Sequence, residues 1–417
     1  MTAAPSEHAV CLGCGCACDD IVVTVAGARI TTATNACMLG VAWYGDGVVP
    51  ARVMVAGAAA KLDTAVRRVA ELLVKGPSLV YLAPDLTTEA QREAIALADL
   101  AGARLDSVTS DTAAPGILAG QRRGRATATL GEIRNRADLL VFWAVDPGVR
   151  YPRYLSRYAL NPTGTHLPAG GSGRTVVAVD VGPSRGPAEA TTRVVLTPSD
   201  EAAALGVMRA TVSGRELSGL SPELRAAGDL ARQMTRARYV AIVHDAESGS
   251  EAADPQRAEG LVGLAQALNG PTRCALSSLR GGGNRSGADA ATTWQTGFPF
   301  AVDFSPGFPR YRPDEPASVV LGTVASVLIV GTANRLPAAV AAALVGRRSA
   351  VVGPRASEAP FATDVAIDTG VAGIHEAGVA YRMDDVPLPV DRLVPGPAEA
   401  ATIIRSIAAA LAKVARR

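Results

Sequence analysis

Short, wholly apolar runs alternate with amphipathic stretches along most of this chain, and that alternation narrows the fold more than any other feature. Ser78-Leu79-Val80-Tyr81-Leu82 ends in Ala83-Pro84, and Leu139–Trp143 stops just before Asp146-Pro147. Thr175–Asp180, Val240–Val243, Ser326–Val330 and Ala350–Val352 repeat the pattern. Runs this short, bounded by Pro, Asp or Gly, read as strands buried on both faces. The intervening stretches have helical spacing. Residues 62–74 place Ala65, Val66, Val69, Leu72 and Leu73 on one face. Residues 88–101 follow Thr87 or Thr88 as N-cap, residues 201–211 follow Ser199 or Asp200, and residues 403–414 form a terminal helix. Strands alternating with helices predict an α/β chain of several lobes with doubly wound, mostly parallel sheets. Ligands of such sheets sit at the carboxyl ends of the strands, which here carry Pro84, Asp146-Pro147, Asp180 and Gly331.

The 417 residues allow two to four domains at roughly 100–200 residues each. The expected division is a small β lobe over 1–55, α/β lobes over 56–175 and 176–320, and a closing α/β segment over 321–417. Lys and Arg number 41 against 39 Asp and Glu, so no basic excess points to nucleic acid. No stretch approaches the roughly 20 uninterrupted apolar residues of a membrane span. Met1–Val10 lacks the layout of a signal peptide, so a soluble, cytoplasmic protein is expected.

Five of the six cysteines fall within residues 11–37. Disulfide frameworks spread their cysteines along a chain, whereas this clustering suggests a metal or cluster site in a reducing compartment. Cys11, Cys14, Cys18 and Cys37 have the spacing C-x2-C-x3-C-x18-C. Four thiolates on Gly-containing short spacers can wrap a [4Fe–4S] cluster. Zinc would take the same four ligands, although its sites usually pair two short-spacer elements. Cysteines without a metal are the third alternative. A β-hairpin follows, with Ile21, Val23, Val25 and Ile30 alternating around Ala26-Gly27. Cys274 stands alone as a core thiol.

Two Gly/Pro-rich connections are expected as loops, over 161–173 and 279–314. The second carries Gly281-Gly282-Gly283, a weak phosphate-cradle signal, and the aromatics Trp294, Phe298, Phe300, Phe304, Phe308 and Tyr311. These aromatics read as loop packing or subunit contact. His166, His244 and His375 read as ordinary structural histidines.

The cysteine motif and a longer set of segments together resemble the B-type subunit of formylmethanofuran dehydrogenases, which are molybdenum or tungsten bis-pterin oxidoreductases. The segments are Cys11–Asp20 with Asn35–Gly40, Thr129–Asp138, Leu279–Asn284, Thr293–Gly297, Val302–Ser305 with Pro309–Tyr311, and Thr369–Gly373 with Tyr381–Asp384. The resemblance implies a molybdopterin-oxidoreductase-like fold. The family's active site needs a metal-ligating Cys followed by His. The matching positions here are Thr112 and Ala113, ahead of Pro115. A threonine hydroxyl is a poor ligand for a dithiolene-bound metal, and alanine moves no proton. No Cys lies between Cys37 and Cys274, and no His between His8 and His166, so a shifted alignment restores neither. No catalytic residue is therefore assigned, and no molybdenum or tungsten pterin is expected. Arg280 corresponds to a family active-site arginine, able to hold a formate-like group or to form a structural ion pair. Asp180 corresponds to the strand-end acid that contacts the pterin's guanine.

Within this family the chain looks most like the B-type subunit of the bacterial formyltransferase/hydrolase complex. That likeness implies a non-redox assembly subunit with hydrolase, formyltransferase and C-type partners and a methanofuran-type carrier passing nearby. A catalytic dehydrogenase subunit is the alternative, and a free-standing pterin- or nucleotide-binding protein is a third.

Overall fold

The computed structural model describes residues 6–247 and 254–414. The chain forms two compact units. One runs through Thr112 and resumes at Gly281, and the other is Ala113–Arg280.

The interrupted unit is built on a nine-stranded sheet. Its five central strands are parallel, in the order Arg104–Ser107, Ser78–Leu82, Ser326–Val330, Ser349–Gly353, Val365–Asp368. Short antiparallel strands flank them, Val302–Asp303 on one side and Val53–Val55 on the other. Side chains alternate along these strands, so each strand feeds two cores. Val80, Leu82, Leu328 and Val330 face the helices Leu62–Leu73, Thr88–Ala101 and Ala400–Val414. Leu79, Tyr81, Val327 and Ile329 face Ala317, Val320, Val340 and Leu344. Burial on both faces explains why these runs are continuously apolar rather than alternating. A three-stranded antiparallel sheet of Ser6–Cys11, Cys18–Ala26 and Arg29–Thr34 belongs to the same unit and contains the expected hairpin.

The Ala113–Arg280 unit holds five parallel strands ordered Thr192–Leu196, Thr175–Val181, Leu139–Trp143, Tyr239–Asp245, Arg273–Leu279. Leu139, Val141 and Trp143 pack on Ala204, Leu205, Leu230, Leu261 and Leu264 from three helices. Phe142 points the other way and meets Tyr154 edge-on at 6.2 Å.

The expected α/β lobes with parallel sheets and a small N-terminal β sheet are therefore present, but the units divide the chain elsewhere. A boundary at 175 would cut through one strand and its sheet, because Val176 pairs with Leu140 and Val177 with Val141. A boundary at 320 would separate Ser326–Val330 from residues 281–320 of its own unit. The expected loop over 279–314 also contains a helix, Arg285–Thr296. Six glycines obscured it. Gly287 lies inside the helix, where any Cβ would collide with the Asn284 side-chain amide. Close approach, not helix breaking, is what that glycine serves. The terminal helix begins at Ala400 rather than residue 403. Among the described residues no helix is long and apolar enough to cross a membrane.

Candidate functional site

The cysteine cluster is assembled by the small sheet. Antiparallel register sets Cys11 opposite Cys18. The loop between them carries Cys14 and Cys16, and Cys37 is the N-cap position of the helix Met38–Tyr44. Cys11, Cys16 and Cys18 are buried, while Cys14 and Cys37 are half-buried. Burial pushes the Cys11 thiol up to about 12, and Cys14, Cys18 and Cys37 each add to the shift. The four residues of the motif therefore feel one another electrostatically. Cys16, outside that spacing, sits fully in the core.

Two glycines leave the room that this cluster needs. A Cβ on Gly40 would stand 3.2 Å from Cys11 Sγ, and one on Gly13 would stand 3.5 Å away. Among the described residues, no three His, Cys, Asp or Glu side chains converge to hold a single metal ion. The four thiols are donors of the kind that iron–sulfur clusters and zinc both take.

The triple glycine packs against this loop. Gly283 N donates to Leu12 O at 2.8 Å, and Asp85 N donates to Gly283 O at 2.8 Å. A Cβ on Gly282 would fall 2.7 Å from Cys14 N and closer still to Leu12 O. The run serves backbone against backbone, in place of the phosphate considered from sequence. Asn284 follows in the left-handed region at φ 63°. Its Nδ2 donates to Leu86 O at 2.9 Å and Thr88 Oγ1 at 3.1 Å, and its Oδ1 accepts from Tyr381 N at 2.7 Å. Three motif segments of the sequence, around 11–18, 281–284 and 381–384, thus meet in one hydrogen-bonded group.

Thr112 ends the short helix Val108–Thr112, where its hydroxyl donates back to Val108 O at 2.7 Å. Ala113 is buried. Beside Thr112 in sequence lies a polar group that composition did not reveal. Ser110 Oγ donates to Asp106 Oδ2 at 2.7 Å, and Asp106 Oδ1 accepts from Ser107 N at 2.8 Å and Ala301 N at 3.1 Å. Burial raises Asp106 to about 7 in spite of these donors. Asp111 is raised by burial as well and pairs with the Ser318 hydroxyl.

Arg280 is 7% exposed, and its Nε donates to Glu247 Oε1 at 2.8 Å. Its geometry is that of the structural ion pair. Asp180 is 1% exposed and is held by its own loop. It accepts from Gly186 N at 2.8 Å, from Arg193 Nη1 at 2.7 and 2.9 Å, and from Arg185 at 3.1 Å. Burial opposes its charge, but the Gly186, Arg193 and Arg185 hydrogen bonds outweigh that and hold the carboxyl below the usual range. Both positions have internal partners, which spacing could not announce.

His244 is buried against Ser278 Oγ at 2.9 Å and is pushed down to about 3 by burial and by Arg125 and Arg257. His375 is buried, accepts from Val371 N at 3.1 Å and lies 2.8 Å from Gly47 O. His166 is exposed. Of the aromatic run, Phe300 and Phe304 are buried and Phe298 stacks on Tyr311 at 4.9 Å, whereas Trp294 and Phe308 are exposed.

No family model matches the chain. Two curated proteins match almost its whole length, both the B-type subunit of a tungsten-containing formylmethanofuran dehydrogenase 2. The one from Methanococcus maripaludis is 27% identical over 94% of each chain. The one from Methanocaldococcus jannaschii is 28% identical, again over 94% of each. The B-type subunit of the formyltransferase/hydrolase complex Fhc of Methylorubrum extorquens is 29% identical over 62% of this chain and 67% of its own. Among solved structures, the crystal structure of the Methylorubrum extorquens formyltransferase/hydrolase complex with methylofuran shares the fold. It matches with a TM-score of 0.74 at 23% identity, over 88% of this chain and all of that one. The resemblance read from the motifs extends along the chain.

Proposed function

We propose that this chain, a relative of the B-type subunits of formylmethanofuran dehydrogenases, is the B-type subunit of a formyltransferase/hydrolase complex and has no redox activity of its own. The observation that carries the reading is Thr112-Ala113, with the Thr112 hydroxyl spent on Val108 O. The internal partners of Asp180 and Arg280 support it: Arg193 holds the Asp180 carboxylate, and Glu247 takes the Arg280 Nε–H. In such a complex a formyl group passes from formyl-tetrahydromethanopterin to a methanofuran-type carrier and is hydrolysed to formate. Neither step moves electrons, so a redox centre can be lost without loss of flux. Hydrolase, formyltransferase and C-type subunits supply the chemistry, and this cytoplasmic chain joins them and borders the carrier's path.

Cys11, Cys14, Cys18 and Cys37 hold a [4Fe–4S] cluster in this reading. The cluster would supply a covalent staple for the small sheet and a one-electron couple. Gly13 and Gly40 keep space around Cys11, and the Gly281–Gly283 run closes over the loop.

The full-length similarity to tungsten enzymes favours a second reading, a catalytic molybdenum or tungsten dehydrogenase subunit. Elemental analysis of the purified native complex separates the two. The proposal expects no molybdenum or tungsten, whereas stoichiometric metal together with oxidation of a formyl substrate by an artificial acceptor would establish the dehydrogenase.

A further inference from the structure

Tyr44 lies one turn beyond Gly40 on the buried face of the helix Met38–Tyr44, and a Cβ on Gly40 would stand 3.2 Å from Cys11 Sγ, so the helix carries a phenol on the face turned to the cysteine cluster. The side chain is 2% exposed, and its hydroxyl has no hydrogen-bond partner among the described residues. Leaving a buried hydroxyl unmatched is costly, and the great majority of such groups are satisfied. The orphaned donor therefore points to an acceptor that protein atoms do not provide. Its surroundings say where. The phenol O–H is a donor, and the helix face it shares with Gly40 lies against the Cys11 sulfur. Trp43 meets the ring edge-on at 4.7 Å and fixes its plane. Thiolates and inorganic sulfides of a cluster are acceptors of the required sign in the required place.

We propose that the Tyr44 hydroxyl donates a hydrogen bond to a sulfur of the cluster held by Cys11, Cys14, Cys18 and Cys37, and thereby raises its reduction potential. This rests on the cluster reading given above. One-electron reduction places extra negative charge on the sulfurs, so a donor stabilises the reduced form more than the oxidised one. Tyr44 is a positioning and tuning residue here, not a ligand.

The test uses the whole complex, as wild type and with Tyr44→Phe. Iron is counted first, and the potential is then measured by titration with dithionite, followed by electron paramagnetic resonance. The proposal expects about four irons per chain in both proteins, with the variant's potential shifted to more negative values. A variant that keeps its iron and its potential overturns the proposal and leaves the cluster reading intact. Wild type without iron overturns both. A purely structural Tyr44 would alter stability or iron retention without moving the potential. Should Tyr44→Phe fail to accumulate, a fluorinated tyrosine at position 44 keeps the shape and strengthens the donor. The potential then rises if the bond exists, and an unchanged potential again overturns it.

Discussion

Arg280 and Glu247 are a buried pair whose side chains are 9% and 1% exposed. Removing one member of such a pair leaves a charge in the core, at a cost of about 3–5 kcal/mol. Glu247→Leu should therefore destabilise the protein by that order in urea denaturation. Adding Arg280→Met should recover much of the loss, because the stranded charge goes with it. An Arg280 that held formate instead would show formate-dependent protection of the wild type, which the ion pair does not predict. Asp106 makes a second residue-level prediction. Burial lifts its folded pKa to about 7, well above the ordinary carboxyl range. The folded state therefore binds the proton more tightly than the unfolded one. Its contribution to stability is fully present below the unfolded value and is lost as pH rises through about 7. Glu376, raised to about 7 by burial, acts in the same direction. His244, pushed down to about 3, opposes this slope below its unfolded value of about 6.5, so denaturation midpoints should fall above about pH 6.5, and Asp106→Asn should flatten part of that slope.

At the scale of elements, the connections rather than the helices carry the special residues. Arg174 precedes a central strand and donates five hydrogen bonds to backbone carbonyls of Ile133, Arg134, Ala137, Tyr158 and Ala159. All five carbonyls lie in the last turn of Leu130–Arg136, at its C-cap Ala137, or at the end of Leu155–Ala159, which explains why the Thr129–Asp138 segment reads as a motif. Lysine cannot fork to so many acceptors. Arg174→Lys should lower stability by about 2–3 kcal/mol, from the carbonyls left unpaired in a buried setting. Gly282 makes the analogous prediction for the cysteine loop. With Leu12 O and Cys14 N in the space any added Cβ would fill, Gly282→Ala must push the loop away. Iron content of the purified variant should drop together with its yield, whereas Gly206→Ala, in open space on a helix, should leave iron content unchanged.

The whole molecule exposes apolar side chains where a monomer gains nothing from them. Met38 is 84% exposed, Val41 54%, Trp294 58% and Phe308 59%. In the assembly reading these belong under partner subunits, in interfaces of more than about 2,000 Å². Expressed alone, the chain should aggregate; co-expressed with hydrolase and formyltransferase subunits it should purify as one complex. Deleting it should abolish coupled transfer and hydrolysis by dissociating the partners. A soluble monomer that oxidises a formyl substrate would refute the assembly role.

The strand runs, the Thr87 cap and the order of motifs were legible in the chain, whereas Asp200 at the start of Glu201–Val212 makes no capping hydrogen bond. They depend on neighbours a few residues away: Thr87 caps its helix by accepting from Ala90 N, and Ser78–Leu82 is a strand because both its faces are covered. That Thr112 and Ala113 stand ahead of Pro115 was equally legible, being a matter of identity alone, and the non-redox reading drawn from them is the proposal made above. What only the tertiary structure decided is who satisfies whom. Asp180 is claimed by Arg193 and Arg185, and Arg280 by Glu247. The glycine run closes on the cysteine loop some 270 residues earlier in the chain. A buried charge or an unpaired hydroxyl takes whatever partner the fold brings within about 3 Å. Local periodicity carries no record of that encounter.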